Sequence, residues 1–187
     1  MSLPHILLGM LEEPASGYDL KKRFEEGARH FWSAELAQIY PTLQRLEERG
    51  LVTSRTVASG RGPDRRVYRR LARGRRELLA WLQGEPRVAT ERFAYLAQLF
   101  FLGALGDLGE TERFLRELKR KLAARLEALR AIEAAWAAGT PGFPDALDDA
   151  GFHAHMTLRM GLRSLAEKVA WCDECLARTR ARVGATA

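Results

Sequence analysis

The spacing of the apolar residues changes at Gly50, and this change restricts the possible folds more than any other feature. Apolar residues before Gly50 recur three or four positions apart, as on one face of a helix: Leu36, Ile39, Leu43 and Leu46. Residues 51–58 are rich in β-branched side chains, and residues 66–71 alternate apolar and basic side chains. Both patterns are typical of short strands, and the glycine-rich segment 59–65 between them predicts a hairpin loop.

Pro41 leaves the start of the preceding helix open. Proline inside a helix costs roughly 3 kcal/mol, because it lacks the N–H and its ring clashes with the preceding turn. A helix starting at a Ser33 cap would place Pro41 deep inside it. We predict a start near Gln38, which places Pro41 in the first turn, with a bend at Pro41 as the alternative.

Two shorter helices precede this segment. Leu3 to Leu11 forms the first, and Ser16 with Asp19 resembles a capping box that opens the second. Three helices followed by a hairpin is the element order of a winged helix-turn-helix, whose third helix enters the major groove of DNA. Residues 53–76 hold nine arginines and one acid, a local charge of +8 in a chain whose net charge is +6. This concentration favours binding to phosphates, with a solvated basic surface as the alternative.

The front of the third helix carries candidate DNA contacts. We expect Gln38 to address an adenine edge, Tyr40 or Thr42 to donate to phosphate, and Arg45 to lie one turn further on. A half-buried packing role is the alternative for Tyr40.

The second half of the sequence is predicted to be wholly helical. Residues 93–105 form an apolar run too short to cross a bilayer, so we expect a buried helix. The last helix carries a heptad seam: Leu158, Leu162, Leu165, Val169, Cys172 and Leu176. This seam fits either dimerisation or an intramolecular bundle. We therefore predict a mainly α fold with a small β-hairpin: a winged helix-turn-helix domain over 1–84 and a helical dimerisation and effector domain over 88–182.

Three segments resemble the N-terminal domain of PadR-type transcriptional regulators: "GYDLKKRF", "HFWSAELAQIYPTLQRLEERGLV" and "GPDRRVYRRLARGRRELLAWL". The segments "LFFLGAL" and "RMGLRSLAEKVAWCDECLAR" are similar to the helical C-terminal domain of that family, the virulence-activator type. The resemblance implies a homodimeric repressor that binds a pseudo-palindromic operator and is released by a small ligand. It assigns DNA contacts to the front of the third helix and to the wing: Ser33, Gln38, Tyr40, Thr42, Gly60, Arg61, Arg65 and Arg66. The family commonly has Thr-Pro-x-Gly before the next helix, where this chain has "LARGRR", so the start of that helix is open.

Other features of the sequence carry weaker expectations. Five large residues either line an effector pocket for a small aromatic or apolar ligand or only pack in the core: Trp136, Phe152, Met156, Met160 and Trp171. Cys172 and Cys175 form a C-x-x-C pair, for which we expect packing rather than redox sensing or metal binding. The sequence predicts no cofactor and no group of catalytic residues, so we expect a protein that is not an enzyme. It predicts no signal peptide, so we expect a cytoplasmic protein that does not bind a membrane. Its expected partner is double-stranded DNA. The alternative is a helical ligand-sensing or protein-interaction module that does not bind DNA.

Overall fold

The computed structural model describes residues 2–28, 30–58, 64–86, 88 and 91–186. The chain divides into two compact units, Met1–Val88 and Ala89–Ala187. The described secondary structure is mainly helical, with one small antiparallel sheet, as the sequence predicts.

The described residues of the N-terminal unit form four α-helices and three strands. In chain order they are α1 (Leu3–Met10), β1 (Ala15–Ser16), α2 (Gly17–Arg23), α3 (Leu36–Glu48), β2 (Val52–Val57), β3 (Arg65–Arg70) and α4 (Ala72–Leu82). A π-helical turn, Phe24–Ala28, extends α2. Strands β2 and β3 form the predicted hairpin, and β1 pairs with the other edge of β3. The two-residue strand β1 was not predicted, since it is too short to show a period.

The apolar faces of these helices meet in one core. Ile39, Leu43 and Leu46 of α3 are fully buried, which confirms the helical face read from their spacing. Gly50 ends α3 with a φ of +67°, a conformation that glycine adopts without strain. Gly74 of α4 is buried, and a Cβ there would overlap the carbonyl oxygen of Leu51. Glycine therefore allows α4 to approach the backbone that follows α3.

The capping box predicted at the start of α2 is present. The Ser16 hydroxyl accepts a hydrogen bond from the Asp19 amide at 3.2 Å. The Asp19 carboxylate in turn accepts from the Ser16 amide at 2.9 Å and from the Ser16 hydroxyl at 2.7 Å. These bonds satisfy backbone donors that a helix N-terminus leaves unpaired.

The C-terminal unit consists of α5 (Ala94–Phe101), a 3₁₀ turn (Leu102–Leu105), α6 (Leu108–Gly139) and α7 (Asp149–Thr186). Helices α6 and α7 run antiparallel, with ion pairs joining Glu112 to Arg180 and Lys119 to Asp173. The predicted seam of α7 packs on α6 of the same chain, against Leu118, Leu122, Leu126 and Leu129. The assignment of this seam to dimerisation is therefore wrong for the buried residues Leu158, Leu162, Leu165, Cys172 and Leu176, and half-buried Val169 packs beside them.

Helix α5 is the second departure from prediction in this unit. We expected a buried apolar helix, but Phe100 is 81% exposed and Phe101 is 70% exposed. Leu96 and Leu105 are also exposed, so α5 and the turn after it leave an apolar surface uncovered on the single chain. Among the described residues, no helix combines the length and the apolar character that crossing a bilayer requires.

Candidate nucleic-acid interface

One face of α3 is exposed along its length and is mostly polar. Gln38, Tyr40, Gln44 and Arg45 are exposed, while the apolar residues on the other face are buried. A helix with this division presents hydrogen-bonding groups to a partner while its apolar face holds it rigidly to the core.

Helix α3 begins two residues earlier than predicted. Its N-cap is Glu35, and the Gln38 side-chain oxygen accepts a hydrogen bond from the Glu35 amide at 3.2 Å. Ser33 is exposed and precedes this cap, so it does not cap the helix. Pro41 becomes the sixth residue of α3 rather than part of its first turn. The helix continues through it with one fewer backbone hydrogen bond.

Tyr40 has the packing role that the sequence left open as an alternative. A Cβ added to Gly17 would lie 2.6 Å from Cε1 of Tyr40, so the ring rests against the start of α2. The residue is nevertheless 44% exposed. Packing on Gly17 therefore fixes the ring and leaves part of Tyr40 accessible to a partner.

Thr42 does not belong to the exposed face. It is 2% exposed, and its hydroxyl donates to the Gln38 carbonyl oxygen at 2.7 Å. The same hydroxyl oxygen accepts from Nη2 of Arg45 at 3.1 Å, and Nε of Arg45 donates to the Pro41 carbonyl oxygen at 3.2 Å. The phosphate contact expected of Thr42 is therefore wrong, because the hydroxyl is buried and already bonded. Its effect is to orient the exposed Arg45.

Strand alternation divides the arginines of β3 into two groups. Arg66 and Arg70 lie on the same side as buried Tyr68 and are bonded within the chain. Nη1 of Arg70 donates to the Leu8 carbonyl oxygen at 2.8 Å. Nη2 of Arg66 lies 2.6 Å from the carboxylate of Glu47, an acid of α3. The assignment of Arg66 as a wing contact to DNA therefore needs correction, since an acid of its own chain holds its guanidinium.

The opposite side of the wing carries a second group of arginines: Arg55, Arg65 and Arg69. All three are exposed, and none forms a hydrogen bond or ion pair with the described residues. Sequence reasoning selected Arg65 but passed over Arg55 and Arg69, although the period of two along each strand would have indicated both. Gly60 and Arg61, the other predicted wing residues, lie outside the described residues.

One acid lies near this basic group. Hydrogen bonds from the Ser16 hydroxyl and the Ser16 amide lower the pKa of Asp19, and the charges of Arg65 and Arg23 add smaller effects in the same direction. Asp19 therefore stays ionised at neutral pH. It belongs to the α2 cap and forms no direct ion pair with Arg65.

None of the five residues predicted to line an effector pocket is in the lining of the hollow near the α6–α7 connection. Trp136 and Trp171 are half-buried, and Phe152, Met156 and Met160 are exposed on α7. This hollow has a volume of about 610 Å³ and lies between apolar walls and four polar side chains. Its lining is Arg130, Glu133, Ala134, Ala137, Phe143, Pro144, His155 and Arg159.

Two of the polar groups of this hollow converge on one carboxylate. Nε2 of His155 lies 3.1 Å from Oε1 of Glu133, and Nη1 of Arg159 donates to the same oxygen at 3.3 Å. Of the predicted effector residues, Trp136 lies near this group, with its ring centroid 6.3 Å from that of His155. No pattern along the sequence indicates this group, because its members come from two helices and the connection between them.

Cys172 packs in the α6–α7 core, as expected, and burial raises the pKa of its thiol. Cys175 is half-buried, and burial raises the pKa of its thiol as well. Both thiols are therefore poor nucleophiles at neutral pH. Within the described ranges, no three His, Cys, Asp or Glu side chains are grouped closely enough to hold a metal ion.

Comparison with known proteins decides the family. A model of the transcriptional regulator PadR-like family matches residues 6–80, and a model described as virulence activator alpha C-term matches residues 91–180. Rv1176c of Mycobacterium tuberculosis, a probable transcriptional regulator, is 32% identical over 184 residues, which cover 93% of this chain and 95% of the relative. The chain belongs to the PadR-like family of transcriptional regulators.

Solved PadR-like structures share the fold of both units. The negative transcriptional regulator PadR of Bacillus subtilis is 28% identical over 94% of this chain and 96% of its own. Its crystal structure with operator DNA matches at a TM-score of 0.76 and 27% identity, and its complex with p-coumaric acid at 0.72 and 27%; each match covers 96% of this chain and 99% of PadR. The virulence activator AphA of Vibrio cholerae matches at 0.73 with 30% identity, over 97% of this chain and 99% of AphA.

These PadR-like relatives are transcriptional regulators and not enzymes, as the sequence predicts for this chain. The N-terminal unit is accordingly a winged-helix DNA-binding fold, with α3 as its third helix and the β2–β3 hairpin as its wing.

Proposed function

We propose that this protein is a repressor that binds a pseudo-palindromic operator as a homodimer and is released by a small aromatic acid. The observation that carries the proposal is the exposed polar face of α3 together with the unpaired arginines of the adjacent wing. The operator complex of the Bacillus subtilis relative, a negative regulator, supports both DNA binding and repression. Action on chromosomal DNA would place the protein in the cytoplasm.

The chemistry of the α3 face suits the major groove. The Gln38 amide is matched to an adenine edge, with its oxygen already oriented by the Glu35 amide. Arg45, aligned by Thr42 and Pro41, and the partly exposed Tyr40 are placed to donate to backbone phosphates. On the wing, Arg65 supplies a further cation for the flanking backbone, and Arg61 keeps the role that the family resemblance gives it.

A homodimer requires an uncovered apolar surface, and the α7 seam no longer offers one. We assign the contact to the exposed apolar residues of α5 and the turn after it, Leu96, Phe100, Phe101 and Leu105. Monomeric proteins rarely expose such a contiguous group of large apolar side chains. To read two half-sites of an operator, the two α3 helices of such a dimer would have to lie about 34–36 Å apart, one turn of B-DNA.

The hollow near the α6–α7 connection is the candidate effector site. Arg130 and Arg159 line it and suit a carboxylate, which would have to replace Glu127 and Glu133 as their present partners. Phe143 and Pro144 supply apolar surface for a ring. The Bacillus subtilis relative binds p-coumaric acid, an aromatic acid of this chemical class. Trp136 is not part of the lining, but its ring lies 6.3 Å from that of His155.

Selection of bound duplexes from a random pool at physiological salt tests the proposal. Enriched sequences with two-fold symmetry, and half-sites one helical turn apart, would support DNA reading and dimerisation together. If no sequence is enriched and binding shows no salt dependence, the protein is a ligand-sensing or protein-interaction module instead. Sedimentation equilibrium of the protein without DNA checks the dimer separately.

A further inference from the structure

Three side chains from three elements form a closed ring of hydrogen bonds where the wing meets α3. Oε1 of Glu47 accepts from the Ser54 hydroxyl of β2 at 2.7 Å. Oε2 of Glu47 accepts from Nη2 of Arg66 in β3 at 2.6 Å. Nε of Arg66 closes the ring by donating to the Ser54 oxygen at 2.8 Å. One carboxylate therefore ties α3 to both strands of the wing.

The ring does not have the character of a stabilising buried pair. The side chain of Glu47 is 28% exposed and that of Arg66 is 53% exposed. Ion pairs with this much solvent contact contribute little to stability. The ring instead fixes the orientation of the wing relative to α3. Each carboxylate oxygen of Glu47 has its own donor, and charge-assisted bonds of this kind are short and oriented.

The ring of hydrogen bonds lies beyond the buried base of the hairpin, toward the loop. Val52 and Tyr68 are buried at the base of the wing, whereas the strand residues beyond Ser54 and Arg66 are partly or fully exposed. Within the part of the chain that the structure describes, no hydrogen bond or ion pair joins the wing to α3 nearer the loop than this ring. Among the described residues, the ring is thus the bonded contact between α3 and the wing that lies nearest the loop.

Small rotations at this point would matter for DNA. Val57, the end of β2, lies three residues beyond Ser54, which is about 10 Å along an extended strand. A rotation of about 20° would move that end by about 3 Å, close to the spacing of successive base pairs. A wing released from α3 would therefore lose its register with the bases that α3 contacts.

We infer that Glu47 is a positioning residue that fixes the wing relative to α3 and thereby sets operator selectivity without touching DNA. The inference rests on the proposed function, because selectivity has meaning only if the protein binds an operator. Arg66 acts through the same ring: its guanidinium is occupied by Glu47 and serves alignment rather than phosphate binding.

The test compares Glu47→Ala with Glu48→Ala. Glu48 is the neighbouring acid of α3, and its carboxylate accepts from Nε2 of Gln44 at 3.0 Å. It has no bond to the described residues of the wing. Both variants remove one negative charge near the DNA, so both should raise affinity for any duplex alike. The measured quantity is the ratio of affinities for a selected operator and a random duplex, at several salt concentrations.

We expect Glu47→Ala to lower this ratio about tenfold relative to Glu48→Ala, an effect comparable to one mismatched base pair. The salt dependence of the two variants should be the same, since neither loses a phosphate contact. Glu47→Gln should lose less selectivity, because its side-chain oxygen can still accept from Ser54. Circular dichroism shows whether each variant is folded, and the glutamine variant keeps the test decisive if the alanine variant is not.

Equal selectivity ratios in folded Glu47 and Glu48 variants would overturn the inference while leaving the proposed function intact. A wild-type protein that binds no duplex would overturn both. A lower ratio accompanied by a flatter salt dependence in Glu47→Ala alone would also contradict it, because the wing would then have lost phosphates rather than alignment.

Discussion

Replacing Arg65 or its neighbour Arg66 with alanine removes the same charge from consecutive positions of one strand, yet the structure predicts different results. Arg65 is exposed and forms no ion pair with the described residues, so we expect it to bind a phosphate. Arg66 is held by Glu47 at 2.6 Å and faces the core side of the wing. The two variants therefore remove the same charge from neighbouring positions. In the wild type, however, Arg66 is already paired with Glu47, whereas Arg65 is available to a phosphate.

The size of the difference follows from counterion release. Each phosphate neutralised by a cation contributes about 0.9 to the slope of log K against log salt. A homodimer that loses one contact per protomer should lose about 1.8 from that slope. Between 50 and 200 mM salt, the affinity of the wild-type protein should fall roughly tenfold more than that of Arg65→Ala. Arg66→Ala should keep the wild-type slope and lose selectivity instead.

Fluorescence anisotropy with a labelled operator duplex, titrated at four or more salt concentrations, measures both slopes. Thermal melting of each variant confirms that the fold is retained. Equal loss of slope in both variants would refute the reasoning, because Arg66 would then leave Glu47 to reach DNA. Two unchanged slopes would remove this strand from the interface.

Three further predictions concern stability and assembly. Gly74→Ala should destabilise the protein by about 1–3 kcal/mol, since its Cβ overlaps a backbone carbonyl oxygen, whereas Gly9→Ala, with open space around it, should be neutral or stabilising in urea denaturation. Asp19 has a lowered pKa in the folded protein, so its charge stabilises the fold above the unfolded pKa near 4 and loses this effect as the pH falls through the folded value. Asp19→Asn should therefore be less stable than the wild type at pH 7, with the difference vanishing in acid; a difference that persists at low pH would assign the effect to something other than the charge. Phe100→Glu should yield monomers in sedimentation equilibrium, whereas Tyr18→Glu, at another exposed aromatic residue in the other unit, should not; dimers of Phe100→Glu would place the interface elsewhere.

Much of the N-terminal fold was predictable because it depends on local sequence. The helical period from Leu36 to Leu46, the glycine after it and the two short strands are properties of neighbouring residues, and the structure confirms each of them. The capping box of Ser16 and Asp19 is similarly local, with its partners three residues apart. Errors of local prediction were confined to boundaries, such as the start of α3 at Leu36 instead of Gln38.

Partners distant in sequence were not predictable in this way. The two residues of β1 become a strand only because β3 offers an edge beside them. Arg65 and Arg66 are identical in type, and only the folded hairpin places one beside Glu47, nineteen positions earlier in the sequence, and the other in solvent. Thr42 is different: it lies three residues after Ile39 and four before Leu46, so the helical period alone places it on the buried face.

The sequence by itself determined which residues form helices and strands, where the basic charge concentrates and which family the chain resembles, because these follow from spacing and residue type. Only the tertiary structure decided which apolar stripe is already covered and which cation is already paired. The seam of α7 is equally suited to α6 or to a second chain, and it packs on α6, whereas α5 stays exposed. A stripe or a charge specifies the kind of partner it binds, and the fold determines which partner lies within reach.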